Sequence, residues 1–176
     1  IVPPGVYLAD PSARVWPGGA LHVYGSVDES TDHYCSRRYH VLRTRDLVGW
    51  ELLRDRFASQ GPRDRVAGSD SLLFAPDCQF RAGRYYLYYC MPDRDHQEGV
   101  AVGRSPVGPF GRGRRIDLQG RAGIDPCVFV DDDGSAWYLW GQFSACIARL
   151  RPNMVEIDPA TIREGVVTEG EHHFHE

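Results

Sequence analysis

Apolar and polar residues alternate along this chain in short, strand-length runs, and helical stripes are scarce. Three stretches repeat one design: ADPSARVWPGGALHVYG from Ala9, FAPDCQFRAGRYYLYYC from Phe74 and IDPCVFVDDDGSAWYLWG from Ile124. Each sets a proline beside an aspartate, then an apolar run, a Gly turn and a second strand rich in Tyr or Trp. The prolines stand at 11, 76 and 126, spaced 65 and 50 residues apart. A strand-only unit recurring at such a period predicts a β-propeller or a related array, with an acidic side chain at a matching position in successive units.

Further strands are predicted at 20–26, at 39–45, at 99–103 and at 146–150. DLVGWE (46–51) reads as a turn and short strand, with Trp50 sealing an edge. The run Tyr85–Tyr89 is apolar or aromatic on both faces, so it must be covered on both sides. Asp133-Gly134 supplies a hairpin turn between VFV and AWYLW. Residues 151–165 read as a loop with a short strand or helical turn. The ending TEGEHHFHE reads as the opening strand of a fourth unit.

Composition narrows the function classes. A formal net charge of −4 and the lack of a basic face argue against nucleic acid as a partner. No apolar run is long enough to span a membrane, and no signal peptide is visible in a chain that starts at Ile1, which leaves cytoplasmic and secreted locations both open. All twenty basic residues are Arg, which reads as the habit of a GC-rich genome. The five cysteines (35, 78, 90, 127, 146) form no metal-spaced pair, and buried free thiols are the simplest reading.

LADPS (8–12), YHVLRTRDLVGWE (39–51), FAPDCQF (74–80), VAVGRSPVGPF (100–110) and GIDPCVFVDDDGSAWYLWG (123–141) stand in one order along nearly the whole chain. In that order they resemble glycoside hydrolase family 43, five-bladed β-propeller enzymes acting on arabinose- and xylose-containing polysaccharides. The resemblance implies an all-β domain over 1–176 comprising about three blades and the first strand of a fourth, part of a longer propeller. It implies an inverting, exo-acting glycosidase of α-L-arabinofuranosidase or β-xylosidase type, with a carbohydrate substrate and no cofactor or metal. Asp10 matches the general base, and Asp125 matches the carboxylate that orients the acid and tunes its pKa. The acid itself is a Glu on the first strand of the fourth blade, matched by Glu176 or, as the second choice, Glu169. Asp77 is taken to occupy the same unit position in the second blade, at the pocket floor, where it helps hold the sugar. Phe74 stands where the family usually has Trp, keeping an aromatic platform without the N–H donor.

The chemistry suits these roles. Hydrolysis with inversion needs one protonated carboxyl for the leaving oxygen and one ionised carboxyl for water, about 6.5–9.5 Å apart. Neighbouring blades around an axis can supply that gap, and a third carboxylate beside the acid keeps it protonated through like-charge repulsion. Taken singly, Asp10 and Asp125 are also what a turn before proline would contain. Asp158-Pro159 is the control: no Gly turn or aromatic strand follows, so it is assigned to a loop. His173 and His175 would share a strand face, yet a polar pocket wall explains them better than a metal site, and the DDDG at 131–134 is a hairpin tip. A non-catalytic carbohydrate-binding propeller is the alternative function. On this reading the 176 residues alone are inactive or very weak.

Overall fold

The computed structural model describes residues 2–66, 68–93 and 97–168, and it is built of strands with two single-turn 3-10 helices. Twelve strands form three four-stranded antiparallel sheets, each in simple sequence order. The first contains β1 (Leu8–Val15), β2 (Leu21–Val27), β3 (Arg38–Thr44) and β4 (Glu51–Ala58). The second contains β5 (Asp77–Arg81), β6 (Arg84–Cys90), β7 (Glu98–Gly103) and β8 (Arg114–Arg115). The third contains β9 (Cys127–Val130), β10 (Ala136–Trp140), β11 (Ser144–Leu150) and β12 (Arg163–Thr168).

The turns explain the hairpins. Ala82 and Gly83 both take positive φ between β5 and β6, closing a two-residue turn of the kind that matches strand twist. In the third sheet Gly134 takes φ +79, and its amide donates to the Asp131 carbonyl. Asp46 closes the turn before β4 by accepting from the Val48 and Gly49 amides through Oδ1. Trp50 folds back over that turn, its indole donating to the Leu47 carbonyl at 3.2 Å, and the strand beyond it runs a full eight residues. Asp158 accepts from the Ala160 amide and caps the short helix Pro159–Thr161, as its assignment to a loop anticipated.

The middle sheet is covered on both faces, and β6 is the reason. Tyr85, Leu87 and Tyr89 point into a core shared with the first sheet, among Trp16, Tyr24, Tyr39, Phe57 and Phe110. Tyr86 and Tyr88 point the other way, into a core shared with the third sheet, among Ile116, Val128, Tyr138, Trp140 and Met154. The two-residue period of a strand thus loads two cores from one segment. Two buried hydroxyls reach partners outside their own sheet: Tyr24 donates to the Pro106 carbonyl at 2.7 Å and Tyr88 to the Met154 carbonyl at 2.8 Å. All five cysteines are free; Cys35, Cys78 and Cys90 are buried as expected, whereas Cys127 is exposed and Cys146 half-buried because they stand on the less covered opening stretches of β9 and β11. The segment read as the start of a fourth unit lies outside the described residues beyond Thr168.

Candidate active site

The opening strands β1, β5 and β9 lie side by side, and one network ties them. The Asp77 carboxylate is 2% exposed, and its two oxygens accept four hydrogen bonds. Oδ1 takes the Ser12 hydroxyl at 2.5 Å and Arg14 Nη2 at 2.8 Å; Oδ2 takes Arg14 Nη2 at 2.9 Å and the Val128 amide at 2.7 Å. Arg14 also donates to the carbonyls of Cys78 and Val128. A carboxylate offers about four acceptor positions, so Asp77 is filled by protein donors from both neighbouring sheets.

This placement corrects the equivalence read from the repeat. Asp10 and Asp125 each precede their proline, whereas Asp77 follows Pro76. Asp77 is the first residue of a regular strand, while Asp10 and Asp125 both adopt left-handed backbone, with φ 48° and 56°. A left-handed residue is strained, and before a proline it is further disfavoured by the ring. The same conformation thus recurs at two matching places, each presenting a carboxylate. At Asp10 the strain coincides with a break in the β1–β2 register between Ala9 and Ser12, which re-aims the side chain out of the ladder.

Asp10 and Asp125 converge electrostatically. Burial raises the Asp10 pKa, and the Asp28 carboxylate raises it further. Burial likewise raises Asp125, with the charge of Asp10 as the added cause. Asp28 is fixed in turn by accepting the Cys35 amide at 2.6 Å. The buried Cys35 thiol is pushed up chiefly by desolvation and also by the charges of Asp10, Asp28 and Asp125. The Asp125 backbone is held from below: its amide donates to Cys90 Sγ at 3.4 Å, and that thiol lies 3.6 Å from the Ala75 carbonyl.

Phe74 is half-buried and sits against the exposed ring of Tyr34, with centroids 6.2 Å apart. Glu169 and Glu176, and with them the histidines at 172, 173 and 175, lie outside the described residues. Among the described residues no three His, Cys, Asp or Glu side chains are grouped to hold a metal ion. A cavity of about 520 Å³, lined by Tyr7, Asp28, Arg38, His40 and Arg54 among others, shares Asp28 with the carboxylate group but contains neither Asp10 nor Asp125.

Sequence reasoning passed over Ser12, Arg14, Asp28, Tyr34 and Glu98. Arg14 and Ser12 alternate on β1 on the face opposite its exposed residues, a pattern that carries no sign of a partner 63 residues away. Glu98 did leave a signal, since a lone acid opens the otherwise apolar run EGVAVG. It is buried, its carboxyl is bonded to the Tyr138 hydroxyl, and burial pushes its pKa up to about 8, with the Asp125 charge adding to the rise.

Known proteins share this chain's sequence pattern and fold. The model of the glycosyl hydrolases family 43 matches residues 6–176. A xylosidase/arabinosidase 43A of Humicola insolens is 36% identical over 155 residues, covering 80% of this chain and 46% of that protein. A xylosidase/arabinosidase of Bacteroides ovatus is 30% identical, covering 92% of this chain and 52% of its own length. The chain therefore spans about half the length of these relatives. Among solved structures, a GH43_1 enzyme from Xanthomonas citri complexed with xylotriose superposes with a TM-score of 0.73 at 31% identity, covering 91% of this chain and 56% of that one.

Proposed function

Since the chain belongs to glycosyl hydrolase family 43, we propose that it forms part of the catalytic domain of an inverting glycosidase that removes terminal arabinofuranose or xylose residues. The three sheets are consecutive blades of a propeller whose remaining blades lie in the part of the relatives that this chain does not span. The observation that carries the reading is the pair Asp10 and Asp125: equivalent positions, matching strained backbone and raised carboxyls, with the Asp10 charge adding to the rise at Asp125. Strain of this kind is retained where surrounding structure enforces it, and it clusters at working sites.

Asp10 is the general base. Its greater exposure gives water access, and ionisation leaves it ready to take a proton. Asp125 stays close enough to like charge to keep a neighbouring carboxyl protonated, which is the requirement for an acid that donates to the leaving oxygen. Glu176, with Glu169 as second choice, supplies that acid. Phe74 offers a ring face to the sugar, joined by Tyr34. Asp77 forms the pocket floor and, with its acceptors already filled, holds the sugar through the order it imposes on Ser12 and Arg14. Solved relatives complexed with xylotriose support a pentose-containing substrate.

The test is Asp10→Asn in the complete protein, assayed on aryl arabinofuranosides and aryl xylosides, with the anomer of the first product followed by proton NMR. Loss of turnover by at least 10³-fold with an unchanged fold, and an inverted first product from wild type, is the expected outcome. Near-normal turnover in the variant would remove Asp10 as base, and a retained anomer would remove the inverting mechanism. Residues 1–176 alone should turn over little or none of the same substrates beside the complete protein.

A further inference from the structure

Among the described residues, Glu98 is the buried carboxyl near the site that the proposed mechanism leaves without a task. It opens β7, pairs in register with Cys90 on β6, and is 2% exposed. Its Oε2 is bonded to the Tyr138 hydroxyl from β10, which crosses from the third sheet. Its Oε1 is buried with no hydrogen-bond partner. Directly above it runs the turn that carries Asp125. A side chain on Gly123 would strike Glu98 Cγ at 2.3 Å and Oε1 at 2.8 Å, so the glycine is what lets the turn settle onto the carboxyl. Two residues on, the Asp125 amide is held by Cys90, the register partner of Glu98.

We propose that Glu98 is a positioning residue for Asp125: a buried, neutral carboxyl that supports the Gly123–Asp125 turn from beneath and fixes where the Asp125 carboxylate stands. The idea rests on the reading of Asp125 as part of the catalytic site.

A neutral state follows from the surroundings. The groups facing Glu98 are Tyr138 from β10, Cys90 from β6 and Asp125 from the loop before β9, and none of them is a cation. A buried carboxylate without a cation and with one unpaired oxygen is far more costly than the protonated acid. Protonated, Glu98 still accepts from Tyr138 and places no second negative charge under Asp125. Above about pH 8 it ionises, and the charge then acts on Asp125 from below. The site should thus lose its poise on the alkaline side through a residue that never meets the substrate.

The experiment uses the full-length protein with Glu98→Gln and Glu98→Leu. Carbon-13 titration of the Asp125 carboxyl should show, in wild type, a second inflection near pH 8 that Glu98→Gln abolishes. Glu98→Leu, which strips Tyr138 of its acceptor, should lower kcat about tenfold or more with little change in KM, and Glu98→Gln should recover most of that loss while moving the alkaline limb of the kcat profile upward. A wild-type Asp125 signal without the second inflection overturns the proposal. So does an unchanged kcat and alkaline limb in both variants. Wild-type protein that hydrolyses no aryl glycoside counts against the proposed function alone, because the carbon-13 measurement needs no turnover.

Discussion

At the scale of single residues, one offset in the chain separates two jobs. The aspartates at 10 and 125, each placed before its proline, adopt left-handed backbone outside the regular ladder. An aspartate placed after it, as at 77, enters the ladder and becomes a clamp between sheets. Asp77→Ala should therefore act on stability: it leaves the Arg14 guanidinium, still about 70% buried, without its counter-charge and frees the Val128 amide. A cost of roughly 2–4 kcal/mol is expected, read from chemical denaturation. Asp10→Asn should behave oppositely. The folded-state pKa of Asp10 lies above its ordinary value of 3.8, so the stability linked to its proton is complete below that value and is lost as pH rises through the raised one. At pH 7 the ionised form is carried at a cost, and the Asn variant should melt no lower than wild type while losing activity.

At the scale of elements, β6 and its neighbours show how much packing one strand controls. Tyr89 is clasped between β7 and the approach to β8, where Gly99 and Gly113 stand. A Cβ on Gly99 would lie 2.3 Å from Tyr89 Cζ, and one on Gly113 2.2 Å from its hydroxyl oxygen. Neither glycine needs a positive φ; each is required because a ring occupies the space a methyl would take. Gly113→Ala should destabilise by about 1–3 kcal/mol through overpacking, measured by thermal unfolding, and Tyr89→Leu in the same chain should recover part of the loss. The two-sided burial of Tyr85–Tyr89 was legible from the lack of polar residues on either face. The length of β4 was not, because LLRDRFA carries three charges that the strand accommodates on a partly exposed edge.

At the scale of the whole molecule, two cores on either face of the middle sheet join the three sheets, and ionisable groups at the seams make that joint sensitive to pH. Glu98 sits at the seam between second and third sheets with a folded-state pKa of about 8 against an ordinary 4.5. The stability held in its proton is therefore whole below pH 4.5 and drains away as pH climbs to about 8, by an amount on the order of a few kcal/mol. Denaturation midpoints should fall across that window in wild type and much less in Glu98→Gln. An equal fall in both would assign the loss to other groups.

The sequence by itself determined the all-β class, the three repeated hairpins, the two-sided middle strand, the likeness to one family and the identity of Asp10 and Asp125 as matched carboxylates. All of these are local or periodic properties, written in strand alternation, turn residues and short motifs. Only the tertiary structure decided that Asp77 is saturated by Ser12, Arg14 and Val128, that Asp28 stands within reach of Asp10, and that Glu98 lies beneath Asp125. Those facts depend on which side chains from distant stretches meet once the sheets pack. Partners 63 residues apart, or a carboxyl roofed by a glycine from the loop before β9, leave no spacing in the chain that would announce them.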